Sequence, residues 1–438
     1  SVPDFDGDGL ADLAVTSQRG SAIPGGPAVE PPRVAVYAGR RFGFPSAPST
    51  TFDATPGGLS SEHWIADAGD VNGDGIADLI VGMPGEAGRV ELHLGTPEGL
   101  SAGAATTLAS PSGAPGFAAR GAGVGDLDGD GFADVVALED DANGQGNRLL
   151  VYRGGPAGLS TKPSRVLASV PTQRFGAFAA HGDVPFDGYA ALVDARIAAG
   201  CRVEFYAGGP GGLSAQPLAT LTSPSSAEIP QGTFGSSVVG AGDMNGDGYA
   251  DVAVAAMTGT FASPWRVHVY AGGPDGPLDT PLATIVAPAY AGGRGPELAA
   301  ARDVNGDGFD DLLVGSPETL IGVPTTKPLL VRAALYFGSL VGPTSVTGQL
   351  FTLPALVTDY GGTFGRTVGA IGDFDGDGYA DLAIGVAQRV VPSYPGPIAH
   401  NFLYVHKGTA LGAWVAPTYT LKSERSDTAF GVSVARAH

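Results

Sequence analysis

Short runs of Val, Leu, Ile and Ala recur along the whole chain, divided by Gly- and Pro-rich turns, the pattern of many short strands joined by turns. The runs come in a fixed order. One follows each Asp-rich loop, as in Leu13-Ala-Val15, Leu79-Ile-Val81 and Leu312-Leu-Val314. A second ends before a glycine, as in Val34 to Gly39 and Val267 to Gly272. A Gly-Gly-Pro-x-Gly-Leu-Ser turn (Gly154 to Ser160, Gly208 to Ser214) leads to a third run such as Pro217 to Leu221. A fourth, opened by Phe-Gly at Phe234 and Phe364, runs into the next Asp loop. Four strands per unit predict one propeller blade.

The Asp loops set the period. They begin at Asp4, Asp70, Asp126, Asp183, Asp243, Asp303 and Asp373, at steps of 66, 56, 57, 60, 60 and 70 residues. The chain starts at a loop and stops at Phe430-Gly-Val-Ser-Val-Ala-Arg-Ala-His438, which matches the run preceding every other loop. The C-terminus is therefore expected to complete the first blade and leave no open edge. The prediction is an all-β, seven-bladed β-propeller of four-stranded antiparallel blades, one domain over 1–438, and a monomer.

Six loops carry the same donors. They are Asp4, Asp6, Asp8, Leu10 and Asp12; Asp70, Asn72, Asp74, Ile76 and Asp78; Asp126, Asp128, Asp130, Phe132 and Asp134; Asp243, Asn245, Asp247, Tyr249 and Asp251; Asp303, Asn305, Asp307, Phe309 and Asp311; Asp373, Asp375, Asp377, Tyr379 and Asp381. Side-chain oxygens at positions one, three, five and nine with a backbone carbonyl at seven suit Ca2+, which takes six to eight hard oxygen ligands. Gly at four and six lets the backbone curl around the ion. The loop is not an EF-hand, because the twelfth position is Val15, Val81, Ala137, Val254, Val314 or Ile384, so Asp at nine is expected to close the site. Asp-Gly segments also form plain turns; six matches at one period favour the metal, and a structural ion over one forming a ligand site. The remaining loop, the fourth in chain order, beginning at Asp183, has Pro185 and Ala191 at ligand positions and is expected to be weak or empty.

Charge and composition agree. The net charge is -20, and 21 of the 44 Asp and Glu are loop ligands, so the excess charge is a demand for about six Ca2+ ions. An acidic surface argues against nucleic acid. The 43% hydrophobic content argues against disorder despite 70 Gly and 35 Pro. Cys201 is alone, so no internal disulfide forms, and no apolar run is long enough for a transmembrane helix. The residues from Ser1 onward carry no signal-like segment. An extracellular or cell-surface setting with millimolar calcium is expected.

The Phe-Gly openings (Phe175, Phe234, Phe364, Phe430, with Phe117-Ala118 as a variant), the Asp loops and the Gly-x-Pro of Gly82-Met-Pro84 and Gly315-Ser-Pro317 resemble the FG-GAP repeat family, the propeller of integrin α-chain heads. Ser61 and Arg294 stand where Phe belongs in two units. The resemblance implies calcium sites and an adhesive or ligand-binding role, although the family includes propellers attached to enzymes. A fungal lectin with a similar propeller leaves a sugar ligand open by analogy.

The Asp loops and Gly-Gly-Pro turns share one face, uniform across repeats, whereas the loops of the opposite face vary. A partner is therefore placed on the variable face. The candidates are His63, Trp64, Phe261, Trp265, Tyr290, Arg294, Tyr360, Tyr394 and His400, against the alternative that each packs within the scaffold. A second set, Tyr37, His93, Tyr152, Tyr206, Tyr270, Tyr336 and His406, holds one repeat position and is expected to fill space between blades. No nucleophile elbow, His-Glu-x-x-His or phosphate loop occurs. The expected function is that of a non-catalytic, extracellular calcium-binding propeller acting as a ligand-binding or adhesion module for a glycan or cell-surface protein. The alternative is a catalytic propeller, a lyase or hydrolase acting on polysaccharide or lipid.

Overall fold

The apolar runs become strands, and four of them hydrogen-bond into each of seven separate antiparallel sheets. The structure is a computed structural model describing residues 3–18, 33–41, 45, 47–53, 63–85, 88–114, 116–140, 146–169, 173–180, 188–198, 201–225, 234–257, 265–287, 296–316, 332–343, 348–352, 362–388, 402–422 and 429–434. Every regular element among them is a strand.

Blade 2 shows the plan: an inner strand Trp64–Gly69, the Asp loop, then Asp78–Met83, Arg89–His93 and an outer strand Thr106–Ala109. Burial along each strand follows its place. Asp78–Met83 is buried at every residue because its blade is covered on both faces by neighbours. The outer strand Arg165–Ala168 of blade 3 buries only Leu167. Blades 3 to 7 occupy 116–168, 173–222, 238–287, 297–352 and 362–422.

Blade 1 is composite. Ala429–Val434 pairs antiparallel with Leu13–Gln18, with Ser17 opposite Phe430, and forms the inner strand of this blade. Inner strands of successive blades touch around the axis, including those of blades 7 and 1, so the ring closes. Seven apolar clusters fill the seven gaps. Between blades 2 and 3, for example, Leu92 and Leu108 meet Val135 and Tyr152, and between blades 7 and 1 Leu403 and Val405 meet Leu13 and Tyr37. Tyr37, His93, Tyr152, Tyr206, Tyr270, Tyr336 and His406 are all buried at these gaps.

Candidate metal centre

Each intact loop is wound around its first carboxylate. In loop 2, Asp70 Oδ1 accepts the N–H groups of Gly73 at 2.7 Å and Asp74 at 3.1 Å, and Oδ2 accepts that of Gly75 at 2.8 Å. The same three bonds form on Asp4, Asp126, Asp243, Asp303 and Asp373. Gly73 and Gly75 sit at φ 77 and 88, where a side chain is strained, which accounts for glycine at positions four and six.

Two further features tie each loop to its neighbours. The carbonyl at position one accepts an N–H from position eight of the following loop (Ala11 to Asp373, Ala77 to Asp4, Ala133 to Asp70, Ala190 to Asp126, Asp310 to Asp243, Ala380 to Asp303), at 2.8 to 3.3 Å. The side chain at position seven lies over the position-four glycine of the preceding loop. A Cβ on Gly73 would come within 2.6 Å of Phe132, and one on Gly376 within 3.0 Å of Leu10 across the ring closure.

Position nine has a role the motif did not reveal. Asp78 Oδ2 accepts the Val71 N–H at 2.9 Å, and Oδ1 accepts that of Gly95, just past the third strand, at 2.9 Å. Asp12, Asp134, Asp251, Asp311 and Asp381 repeat both bonds. Before it ligates anything, this carboxylate clamps the loop to the next strand. Burial, reinforced by the other carboxylates of the loop, pushes Asp12, Asp78, Asp134, Asp251 and Asp381 up to about 7 and Asp311 up to about 8.

The donors fit a hard divalent cation. Carboxylate oxygens of Asp4, Asp6 and Asp8, of Asp126, Asp128 and Asp134, and of Asp373, Asp375 and Asp381 converge within 4.8 Å of one another. Oδ1 of Asp128 and of Asp375 is buried without a hydrogen-bond partner. Loops 2, 5 and 6 instead carry Asn at position three, whose amide donates to the position-five carboxylate at 2.9 Å.

Two cations escaped the sequence reading. Arg153 lies 2.7 Å from Asp128 Oδ2, and the Lys407 ammonium pairs with Asp375 and, at 3.0 Å, with Asp377. Hydrogen bonds to Asp375 and Asp377 hold the Lys407 ammonium above the usual lysine range. The signal was available, since each follows the interblade Tyr or His and stands beside a loop with Asp at position three.

In loop 4, Asp183, Pro185 and Asp187 lie outside the described residues. Tyr189 still covers Gly129 and Ala190 still donates to Asp126, but Ala191 puts a methyl group at position nine. The same blade carries Asp194 at the twelfth position, apolar in every other repeat, buried 2.9 Å from Arg196 Nε. Arg196 also pairs with Glu204 at 2.8 Å, stacks on Phe175 and donates to Tyr206.

The candidate ligand contacts divide. Phe261, Tyr290, Arg294, Tyr360, Tyr394 and His400 lie outside the described residues. His63 and Trp265 are buried. Trp64 is half-buried, donates from Nε1 to the Ala118 carbonyl at 2.9 Å, and packs where a Cβ on Gly82 or Gly121 would be. All three are at least partly buried in the scaffold, where Trp64 has packing partners. The Asp-loop face is less uniform than the motif suggests: the turns of blades 6 and 7 expose Leu340, Val341, Leu411, Trp414 and Val415, with Leu411 93% exposed. The turn of blade 7 reaches blade 6, where Gln349 at the start of the outer strand donates to the Ala413 carbonyl.

A closed ring of seven four-stranded blades with Asp loops on one face defines an Asp-loop type of β-propeller. A model of the FG-GAP-like repeat matches residues 4–81, 70–137 and 243–314, and a model of the FG-GAP repeat matches 364–397; together they span more than half of the chain. The chain belongs to the FG-GAP repeat proteins. It is 38% identical to human integrin alpha-IIb over 199 residues, 40% of this chain and 18% of that protein. It is 32% identical to integrin alpha-PS2 of Drosophila melanogaster over 133 residues, 29% of this chain and 8% of that one. With integrin alpha pat-2 of Caenorhabditis briggsae it shares 29% identity over 231 residues, 47% and 18% of the two chains. The matches therefore span less than a fifth of these relatives. A putative 6-phosphogluconolactonase from Bacteroides uniformis has the same fold, with a TM-score of 0.51, 11% identity and coverage of 97% and 99%.

Proposed function

We propose that this chain is a non-catalytic, calcium-stabilised binding module of the adhesion type, working outside the cell on a protein partner. The observation that carries this reading is the set of six Asp loops, three of them with converging carboxylates, on a ring whose repeats match integrin α chains. Calcium would be held at positions one, three, five and nine of each intact loop, with the carbonyl of position seven. The ion supplies positive charge where carboxylates crowd, and the chain's own bonds carry that order into the neighbouring blade.

The exposed turns of blades 6 and 7 favour a protein over a glycan. Leu340, Val341 and Leu411 present exposed aliphatic surface, which suits a protein partner. The test is solid-phase binding to a panel of purified cell-surface and matrix proteins beside a glycan array, each with calcium and with chelator. Calcium-dependent protein binding that is lost in Leu411→Asp/Trp414→Asp supports the proposal. Binding confined to glycans, or turnover of a polysaccharide or lipid, overturns it.

A further inference from the structure

The six intact loops are not equivalent, and their differences follow a rule visible only when the blades are superposed by position. Loops 1, 3 and 7 hold four carboxylates, because position three is Asp6, Asp128 or Asp375; loops 2, 5 and 6 hold three, with Asn72, Asn245 or Asn305 there. The residue just after the interblade Tyr or His is Ala38, Leu94, Arg153, Ala207, Ala271, Phe337 and Lys407 through the seven blades. Both cations in that series stand beside a four-carboxylate loop, and both lie on the position-three carboxylate. Every Asn loop has an apolar residue in their place. Loop 1 is the four-carboxylate loop with Ala38 there.

The contacts say what the cations do. Arg153 takes Oδ2 of Asp128, and Lys407 takes Oδ2 of Asp375 and of Asp377, two of the oxygens a calcium ion would use. In loop 7 Oδ1 of Asp375 is left over, buried and unpartnered; in loop 3 neither oxygen of Asp128 has a hydrogen bond, and Oδ2 is held by the charge of Arg153 alone. The side chains of Asp128 and Asp375 are only 3% and 9% exposed, so water does little for that remaining charge. The loop thus keeps a seat for an ion while part of its negative charge is already cancelled. Calcium entering loop 3 or 7 meets a fixed positive charge close by, and in loop 7 must share or displace an ammonium that joins positions three and five. In loop 1, among the described residues, no cation acts on Asp6.

We infer that Arg153 and Lys407 are tethered counter-ions that make loops 3 and 7 the weak calcium sites and hold those loops in shape when calcium is scarce, leaving loop 1 the tightest. This rests on the proposed reading of the Asp loops as calcium sites. Even screened as fully as in bulk water, repulsion between a unit charge and a divalent ion roughly 6 Å apart corresponds to about tenfold in affinity.

The experiment is a calcium titration of the chelator-stripped full chain by isothermal calorimetry, comparing the unaltered protein with Arg153→Met, Lys407→Met and Ala38→Lys. The expected result is a weak class of two sites in the unaltered protein. Arg153→Met and Lys407→Met should each tighten one of them about tenfold, and Ala38→Lys should weaken one tight site by a similar factor. Because Ala38→Lys adds a charge and removes no packing partner, it keeps the inference testable if a Met variant fails to fold. Isotherms that the substitutions leave unchanged overturn the inference, as does weaker binding in the Met variants, which would make the cations positioning groups. No calcium uptake by any form sinks the underlying calcium reading instead, a distinguishable failure.

Discussion

The carbonyl of Asp70 accepts the N–H of Ala133 at 2.8 Å, joining the loop of blade 2 to that of blade 3, while the carboxylate of the same Asp70 winds its own loop. One residue thus serves the local turn with its side chain and the ring with its backbone. An ion on that carboxylate therefore acts on two blades at once.

Chelation is expected to lower the thermal midpoint by roughly 10 °C or more, because a site held at a hundredfold above its Kd contributes about 2.7 kcal/mol. Differential scanning calorimetry in excess calcium and in excess chelator measures it. Equal midpoints would show that the loops are turns and nothing more.

Asp78→Ala removes the acceptor for two backbone N–H groups, those of Val71 and Gly95. The expected cost is about 2–5 kcal/mol by chemical denaturation, and it persists in chelator because the clamp does not need the ion. Asp78→Asn, which keeps one oxygen, should cost less. A penalty that vanishes without calcium would refute the clamp.

Burial holds the His406 imidazole down to about 4 from its ordinary 6.5. The unfolded chain therefore takes up a proton between these values that the folded chain refuses. The contribution of His406 to stability is full above pH 6.5 and is lost as pH falls toward 4, by up to about 3 kcal/mol. Five other blades carry Tyr at this position, so His406→Tyr is the substitution to compare. Its stability should fall less steeply over that window, and parallel pH profiles for the two proteins would contradict the prediction.

Trp64→Ala should cost about 3–5 kcal/mol, since the ring fills the gap above Gly82 and Gly121 and its Nε1 is bonded to Ala118. Trp64→Phe keeps most of the packing and should lose less. Denaturation midpoints for the two decide it; an unchanged midpoint for Trp64→Ala would return Trp64 to the list of surface contacts.

In blade 4, Arg196→Met strands Asp194 in the interior and should destabilise by about 3–5 kcal/mol. Burial raises the Asp194 carboxyl well above the usual range even with Arg196 beside it. Adding Asp194→Val, the residue most other repeats have there, should recover most of the loss. A double variant no better than the single one would show that Arg196 acts through other contacts.

The blades, the ring closure and the loops were legible in the sequence because each repeats one local pattern: Leu79 to Val81 and its counterparts mark strands, and two glycines at fixed offsets in each intact loop mark a backbone that must turn with positive φ. What the sequence could not show depends on residues distant in the chain. The second bond of Asp78 goes to Gly95, the cation beside Asp375 comes from Lys407, and Trp64 finds its partner at Ala118. Local chemistry alone determines which residues form a turn or a strand, so one repeat suffices to read it. Which carboxylate is clamped, which is neutralised and which aromatic is covered depends on how neighbouring blades and strands pack, and only the closed ring decides that.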